Sequence, residues 1–199
     1  RINNDKICSF AFDKEKEACM ATRHLIELGH EKIAFLCAPL TNAFRKGKAE
    51  GYRKALNKAG IQVKEEYIYI ASKEFDTDYT DNVYDCQIGA LLTRDLLLKN
   101  PEVTAVLCMN DLVALGCVSE LQSRGYAVPR DYSVVGFDDS FFSDLINLKI
   151  TTVRFEKYNI GRLAMQTLRD IIELKQEIRQ YNFDNYANLV VRESSGKPR

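Results

Sequence analysis

Short runs of apolar residues alternate along the chain with longer stretches in which apolar positions recur every three or four residues. The short runs are continuous rather than alternating, which is typical of strands buried on both faces of a parallel sheet. They predict strands at 7–12, 33–37, 67–71, 103–108, 133–137, 150–153 and 186–191. The longer stretches predict amphipathic helices at 15–28, about 44–59, 83–99, 111–124 and 156 to about 178.

The order of these elements predicts an α/β fold with a parallel sheet. Strand starts near 33, 67, 103 and 133 recur roughly every 30 to 36 residues, which is the length of one strand–helix unit. Gly29 follows the first helix in the position of a left-handed helix stop. Apolar positions that we expect on the buried helix faces include Leu91 and Leu168. The polar stretch 76–85 predicts a surface loop or the approach to a helix.

The composition of the chain excludes several classes of protein. The chain has 199 residues, of which 46% are hydrophobic, so it does not belong to the disordered or fibrous classes. No run approaches the ~18 apolar residues that span a bilayer, and we expect no secretory signal at Arg1–Lys6. Lys plus Arg and Asp plus Glu each number 28, and this balance argues against a standalone nucleic-acid binder.

The cysteines and histidines do not predict a metal site or a disulfide framework. Six cysteines stand at irregular spacings without a C-x-x-C pair, which favours reduced thiols in a cytosolic protein. His30 is expected to be structural and to bond the last carbonyls of its helix. Nucleotide-binding glycine fingerprints, G-x-S-x-G and H-E-x-x-H are absent from the sequence, so we expect neither a cofactor nor enzymatic activity.

Ligands of open α/β sheets bind beyond the carboxyl ends of the strands, and this rule selects candidate residues. The side chains that follow the predicted strands are Phe44, Lys48, Phe75, Tyr79, Tyr84, Asn110, Asp111, Asp138, Asp139, Phe141, Phe142, Arg154 and Phe155. Carboxylates and amides bind hydroxyls, an ammonium donates further bonds, and aromatic faces cover the apolar side of a sugar ring. The mixture therefore suits a neutral polyhydroxylated ligand.

Each of the main candidates has a purely structural alternative. Asn110 could only cap the helix that begins at Asp111. One of the two aspartates after strand 133–137 could only cap a turn, and Lys48 could be a solvated helix lysine. Tyr84 and Phe155 could be core aromatics.

Six segments resemble, in the same order, elements of the effector-binding domain of lactose-repressor-type transcription regulators. These segments are His24–Phe35, Lys48–Tyr52, Cys108–Gly116, Val128–Asp139, Thr151–Val153 with Gly161, and Val190–Ser195. Singly they are weak, but jointly they cover nearly the whole chain. The stretch 136–152 also looks like the arabinose-repressor branch, which joins the same effector domain to a winged DNA-binding domain.

The resemblance implies a periplasmic-binding-protein-like fold (type I) in which two α/β subdomains surround a ligand cleft. On this basis 1–14 would end the first subdomain, 15–152 would form the second, 153–180 would return to the first, and 181–199 would close the second. The helix-turn-helix, the hinge and most of the first subdomain would precede Arg1.

The resemblance also implies roles for individual residues. Asn110 and Asp138 match the family's hydroxyl-binding positions, and Tyr84 falls near the aromatic residue that stacks on the ligand. Lys48 stands where the family usually has a ligand-clamping arginine, so it offers a point charge instead of a bidentate fork. Phe155 occupies a position that is often polar in the family.

The function implied by the resemblance is that of a cytoplasmic, dimeric repressor controlled by a small-molecule effector, a sugar, and reaching operator DNA through an N-terminal domain. No membrane partner is expected. An extracellular sugar-binding protein of a transport system is the alternative, against which the six cysteines count. A doubly wound hydrolase or transferase, and a fragment without a competent ligand site, are further alternatives.

Overall fold

A computed structural model describes residues 9–75, 82–141, 143, 147–174, 180–182 and 187–199. The chain divides into two compact units. The smaller unit comprises Arg1–Asp13 and Phe155–Asn188, and the larger unit comprises Lys14–Arg154 and Leu189–Arg199. The assignment of the predicted segments to family subdomains stays a prediction.

Strands and helices alternate through most of the described chain, as the sequence pattern predicts. The strands are β1 (Ser9–Ala11), β2 (Ile33–Cys37), β3 (Ile68–Ile70), β4 (Ala105–Cys108), β5 (Ser133–Phe137), β6 (Thr151–Phe155), β7 (Gln180–Asn182) and β8 (Ala187–Val190). The helices are α1 (Lys14–Glu27), α2 (Ala43–Lys58), α3 (Asn82–Lys99), α4 (Asp111–Ser123) and α5 (Lys157–Leu174). Single 3₁₀ turns occupy 65–67 and 73–75.

Six strands form one sheet in the order β3-β2-β4-β5-β6-β8. The pairs from β3 to β6 are parallel, with Phe35 opposite Ile68, Ile33 opposite Ala105, and Val135 opposite Thr151. Every residue of β2, β4 and β5 is buried. The prediction of an α/β fold with a doubly covered parallel sheet is therefore confirmed.

Helices α1 and α2 pack against each other through small residues. A Cβ on Gly51 would collide with the carbonyl oxygen of Glu15 and would lie 2.8 Å from the Cβ of Ala18, so only glycine permits this approach. The next residue, Tyr52, is fully buried, stacks on Phe35 and donates from its hydroxyl to the Ile33 carbonyl at 2.7 Å. These contacts fix α2 against β2.

Some predicted details are wrong. Tyr67 lies in a 3₁₀ turn before β3, and β4 begins two residues later than predicted, differences that are common at the ends of elements. Leu91 and Leu168 are 41% and 47% exposed instead of buried. The structural role of His30 is confirmed, since its backbone N–H donates to the Leu25 carbonyl of its helix at 3.1 Å, but the bonds of its ring to Thr104, Ser133 and the Gly196 carbonyl were not predicted.

In the smaller unit, β1 pairs in parallel with β7, and Phe12 makes an edge-to-face contact with Phe155 at 5.3 Å. Helix α5 exposes Tyr158, Met165 and Ile172, which recur every seven residues. Among the described helices of the chain, none is long and apolar enough to cross a bilayer.

Candidate functional site

The order of strands in the sheet reverses between β2 and β4. The chain passes from β2 outward to β3, and then returns to β4 on the other side of β2. At such a reversal the loops that follow the two strands diverge and leave a crevice at the carboxyl edge. Met109, directly after β4, receives a hydrogen bond at its sulfur from the Ala38 N–H at 3.1 Å, which joins the two loops below the crevice.

Lys48 of α2 is buried at this edge. Its side chain reaches the carbonyl of Met109, to which Nζ donates at 2.6 Å, and Nζ lies 4.2 Å from the centroid of the Phe137 ring. Burial lowers the pKa of Lys48, and the carboxylates of Asp138 and Glu17 act in the opposite direction. Only 7% of the residue is exposed, so the alternative of a solvated helix lysine is wrong.

Asn110 performs two tasks. Its Oδ1 accepts a hydrogen bond from the Val113 N–H at 2.8 Å, so it caps α4 as the structural alternative predicts. Its Nδ2 donates to Asp85 Oδ2 of α3 at 2.7 Å. The pair with Asp85, which the sequence pattern did not predict, orients the amide at the carboxyl edge of β4.

Asp138 and Asp139 form a strained turn after β5. Their φ angles are 96° and 43°, in the left-handed region that residues other than glycine rarely adopt. Such strain costs on the order of 1–3 kcal/mol per residue and is found mostly at functional sites. The Asp138 N–H donates to the Val153 carbonyl at 2.9 Å, and the Asp139 N–H donates to Thr152 Oγ1 at 3.3 Å.

The Asp139 carboxylate lies between two arginines, at 2.7 Å from Arg192 Nη2 and 2.5 Å from Arg154 Nε. Burial alone would raise the pKa of Asp139, but the hydrogen bonds from the two arginines hold it below its usual value. Its carboxylate therefore holds the turn to β6 and the C-terminal tail.

Asp111, which the sequence analysis includes among the candidates after the predicted strands, is a buried acid. Its carboxylate accepts from Thr152 Oγ1 at 2.6 Å and from the Ser140 N–H at 2.7 Å. Burial raises its pKa to about 6, and the nearby charge of Asp138 acts in the same direction. Asp111 thus joins Ser140, the residue after the strained turn, to Thr152 of β6.

Two charged residues of α1 also belong to this corner and were missed by the sequence analysis. Glu17 is 3% exposed, and its Oε2 lies 3.1 Å from Lys14 Nζ. Lys14 Nζ lies in turn 5.9 Å from the centroid of the Phe44 ring. Because α1 precedes β2 in the chain, the predictive rule about residues that follow strands did not select them.

The remaining candidates are distributed as follows. Phe44 and Tyr84 lie in the first turns of α2 and α3 and are 51% and 38% exposed, so Tyr84 is not a core aromatic. Phe155 belongs to the smaller unit, where it contacts Phe12. Tyr79 and Phe142 lie outside the described residues. The ligand-binding roles of Lys48, Tyr84, Asn110, Asp138, Phe155 and Phe44 stay predictions.

No metal centre is evident in the part of the chain that the structure describes, since no group of three or more His, Cys, Asp or Glu residues could hold an ion there. Cys19, Cys37, Cys86, Cys108 and Cys117 are free thiols. Burial raises the pKa of Cys37 to about 12, which keeps this thiol protonated and unreactive.

The reversal of strand order and the polar residues at the carboxyl edge are those expected of a small-molecule-binding α/β domain. The family model of the periplasmic binding protein-like domain matches residues 22–195. The chain belongs to this family. The match extends from α1 to the tail and includes all the site elements of the larger unit described above except Lys14 and Glu17.

Similar proteins place the chain more closely within this family. The transcriptional repressor PurR of Mannheimia succiniciproducens is 33% identical over 178 residues, which are 89% of this chain and 50% of that protein. PurR of Haemophilus influenzae strain Rd is 33% identical over 96% of this chain and 54% of its own length. The chain thus spans about half the length of the relatives it matches. The resemblance to lactose-repressor-type effector-binding domains is confirmed.

Solved structures agree with this placement. The transcriptional regulator CelR, in a complex with cellobiose, matches 97% of this chain and 55% of its own with a TM-score of 0.80 and 29% identity. A sugar-binding LacI-family regulator from Escherichia coli, in a complex with phosphate, matches all of this chain and 66% of its own with a TM-score of 0.82. At 24% identity the second comparison supports the fold alone.

Proposed function

We propose that this chain is the effector-binding part of a ligand-controlled transcriptional repressor, and that its effector is a sugar. The effector would bind at the carboxyl edge of the sheet, against Lys48, Asn110 and Asp138. The observation that carries this proposal is the strained Asp138–Asp139 turn, with φ angles of 96° and 43°, held beside a buried lysine at the reversal of strand order. Strain of this kind persists only where surrounding contacts enforce it.

The hydrogen-bonding capacity of these side chains favours a ligand rich in hydroxyl groups. Within the described part of the chain, Met109 takes one of the three ammonium protons of Lys48, and Asp85 takes one of the two amide protons of Asn110. The remaining donors, together with the acceptor oxygens of Asp138, match hydroxyls that both donate and accept. The cellobiose complex of CelR, the more similar of the two structures above, supports a sugar as the ligand class.

A repressor requires that the effector distinguish two states of the protein. A sugar that bound one arrangement of the complete protein more tightly would shift the population toward it, by an amount set by the difference in affinity. We propose that the complete protein is a cytoplasmic homodimer that contacts operator DNA through an N-terminal domain. The repressor relatives favour this proposal over an extracellular transport protein. We propose that the protein has no enzymatic activity.

A thermal-unfolding screen tests the ligand class. Pentoses, hexoses, cellobiose and sugar phosphates would be added to the complete protein. A sugar at 100 times its dissociation constant adds about 2.7 kcal/mol to the free energy of unfolding, which raises the melting temperature of a domain of this size by about 5–10 °C.

The matched variants are Asp138→Asn and Asp95→Asn. The first removes the charge at the strained turn, and the second removes an exposed charge that pairs with Lys99 on α3. We expect the sugar-dependent rise to disappear in Asp138→Asn and to persist in Asp95→Asn. A rise that survives Asp138→Asn would refute the site, and a panel without any stabilising sugar would refute the ligand class.

A further inference from the structure

The seam between α1 and α2 places two charged side chains beside each other at the candidate site. Gly51 lies against Ala18, and a Cβ on Gly47 would lie 3.2 Å from the Cβ of Lys14. In each helix these two contact positions are four residues apart, so they form one line of contact. Glu17 precedes Ala18 and Lys48 follows Gly47, so both flank this line.

Both side chains are almost fully removed from water. Glu17 is 3% exposed and Lys48 is 7% exposed. An isolated buried charge is costly, so it is found with a partner. Glu17 has Lys14 at 3.1 Å, and Lys48 has the Met109 carbonyl at 2.6 Å and the face of the Phe137 ring at 4.2 Å. A neutral carbonyl and an aromatic ring offset only part of the cost of a buried ammonium, and the carboxylates of Asp138 and Glu17 compensate it further.

We propose that Glu17 is a positioning residue for Lys48: together with Asp138, it keeps the buried ammonium charged and so sets the donors that the site offers to a ligand. This inference rests on the proposed effector site. An ammonium donates to three acceptors, whereas a neutral amine donates to two and offers a lone pair. The ionisation of Glu17 therefore contributes, with that of Asp138, to whether a sugar oxygen meets a strong, charged donor.

The charged groups that face Glu17 come from three elements. Lys14 lies on α1, Lys48 on α2, and Asp138 on the turn after β5. Burial raises the pKa of Glu17 to about 7, while the two lysines act in the opposite direction. Burial lowers the pKa of Lys48, Asp138 raises it, Lys14 lowers it, and Glu17 and Cys37 raise it further, so Lys14 and Glu17 have opposite effects.

Nuclear magnetic resonance of the complete protein labelled with ¹³Cε-lysine tests this coupling without a ligand. The Lys48 resonance is assigned by its loss in Lys48→Met. In the unsubstituted protein we expect this resonance to show an inflection near pH 7, where Glu17 ionises. A Lys48 resonance that does not respond between pH 6 and 8, about one unit on either side of this pKa, would overturn the proposal.

Two variants should move the pKa of Lys48 in opposite directions. Glu17→Gln should lower it by about half a unit or more, and Lys14→Met should raise it. Glu15→Gln is the matched control, because it removes the same charge from the same turn of α1 but at a residue that pairs with Lys54 at the surface. Equal shifts in Glu17→Gln and Glu15→Gln would overturn the proposal, as would a fall in Lys14→Met.

Circular dichroism at each pH establishes that the variants are folded. If Glu17→Gln does not fold, the inflection in the unsubstituted protein and the direction of the shift in Lys14→Met still decide the question. A second measurement, thermal stabilisation by cellobiose and D-ribose, keeps the two proposals apart. Coupling seen by resonance without stabilisation by either sugar would sustain the positioning role of Glu17 and count against the ligand class.

Discussion

Two arginines bind the carboxylate of Asp139, and they differ in how far their side chains are exposed to water. Arg192 is 12% exposed at its side chain, and Arg154 is 44% exposed. Arg192 Nη1 also donates to the Ile150 carbonyl at 2.9 Å and to Ser143 Oγ at 3.3 Å. We expect Arg192→Gln to destabilise the protein much more than Arg154→Gln.

The expected difference follows from burial. Removing one partner of a buried ion pair costs about 3–5 kcal/mol when the other charge is left without compensation, and the lower end applies here because Arg154 still pairs with Asp139. An exposed pair contributes about 0–1 kcal/mol, since water solvates both groups after the break. Arg192→Gln should therefore reduce the free energy of unfolding by about 3 kcal/mol, and Arg154→Gln by less than about 1 kcal/mol.

Urea denaturation at pH 7, followed by circular dichroism, measures both variants. The midpoint for Arg192→Gln should fall clearly below that of the unsubstituted protein, while the midpoint for Arg154→Gln should stay close to it. If the two variants have equal m-values, the difference between their midpoints gives the difference between their free energies of unfolding directly. Equal losses in the two variants, or a larger loss in Arg154→Gln, would contradict the argument from burial.

Three further predictions concern packing and pH. Gly51→Ala should destabilise the protein by about 1–3 kcal/mol in urea denaturation because its Cβ would collide with the Glu15 carbonyl, whereas Gly161→Ala, which meets no atom within 4 Å, should stabilise α5 by about 0.5–1 kcal/mol. Burial lowers the pKa of His30, so protonation of this ring as the pH falls below its unfolded pKa of about 6.5 destabilises the folded protein. His30→Gln should reduce the loss of unfolding free energy between pH 7 and 5. An unchanged dependence of this free energy on pH would contradict the prediction. Burial raises the pKa of Asp111 from 3.8 to about 6, so stability is lost as the pH rises between these values. In Asp111→Asn, the free energy of unfolding measured across this pH range should lack this decline.

The fold could be predicted from the sequence because the strands are buried on both faces. A run such as Ile33–Cys37 contains no polar position, and this feature survives without knowledge of the neighbouring strands. The ends of the elements could not be predicted as well. Tyr67 and Val103 begin apolar runs, but hydrogen bonding and turn geometry start the strands only after these residues.

The sequence also predicts where the proposed site lies, but it does not predict the residues that support it. The rule that ligands bind beyond strand ends selects Asn110 and Asp138 because both follow strands directly. Asp85 and Glu17 lie far from these strands in the chain, and only the packing of α3 and α1 brings them near. Likewise, helix periodicity alone does not distinguish a buried lysine such as Lys48 from a solvated one.

Mapping of backbone amide chemical shifts tests the central proposal most directly. The complete protein, labelled with ¹⁵N, would be titrated with the sugar that stabilises it most in the thermal screen. Saturable shifts should cluster at Lys48, Met109–Asn110 and Asp138–Ser140, around the reversal of strand order. Shifts centred instead on the groove between α1 and α2 that Met20, Ile26 and Ala59 line would contradict the account, because the ligand would then bind away from the carboxyl edge.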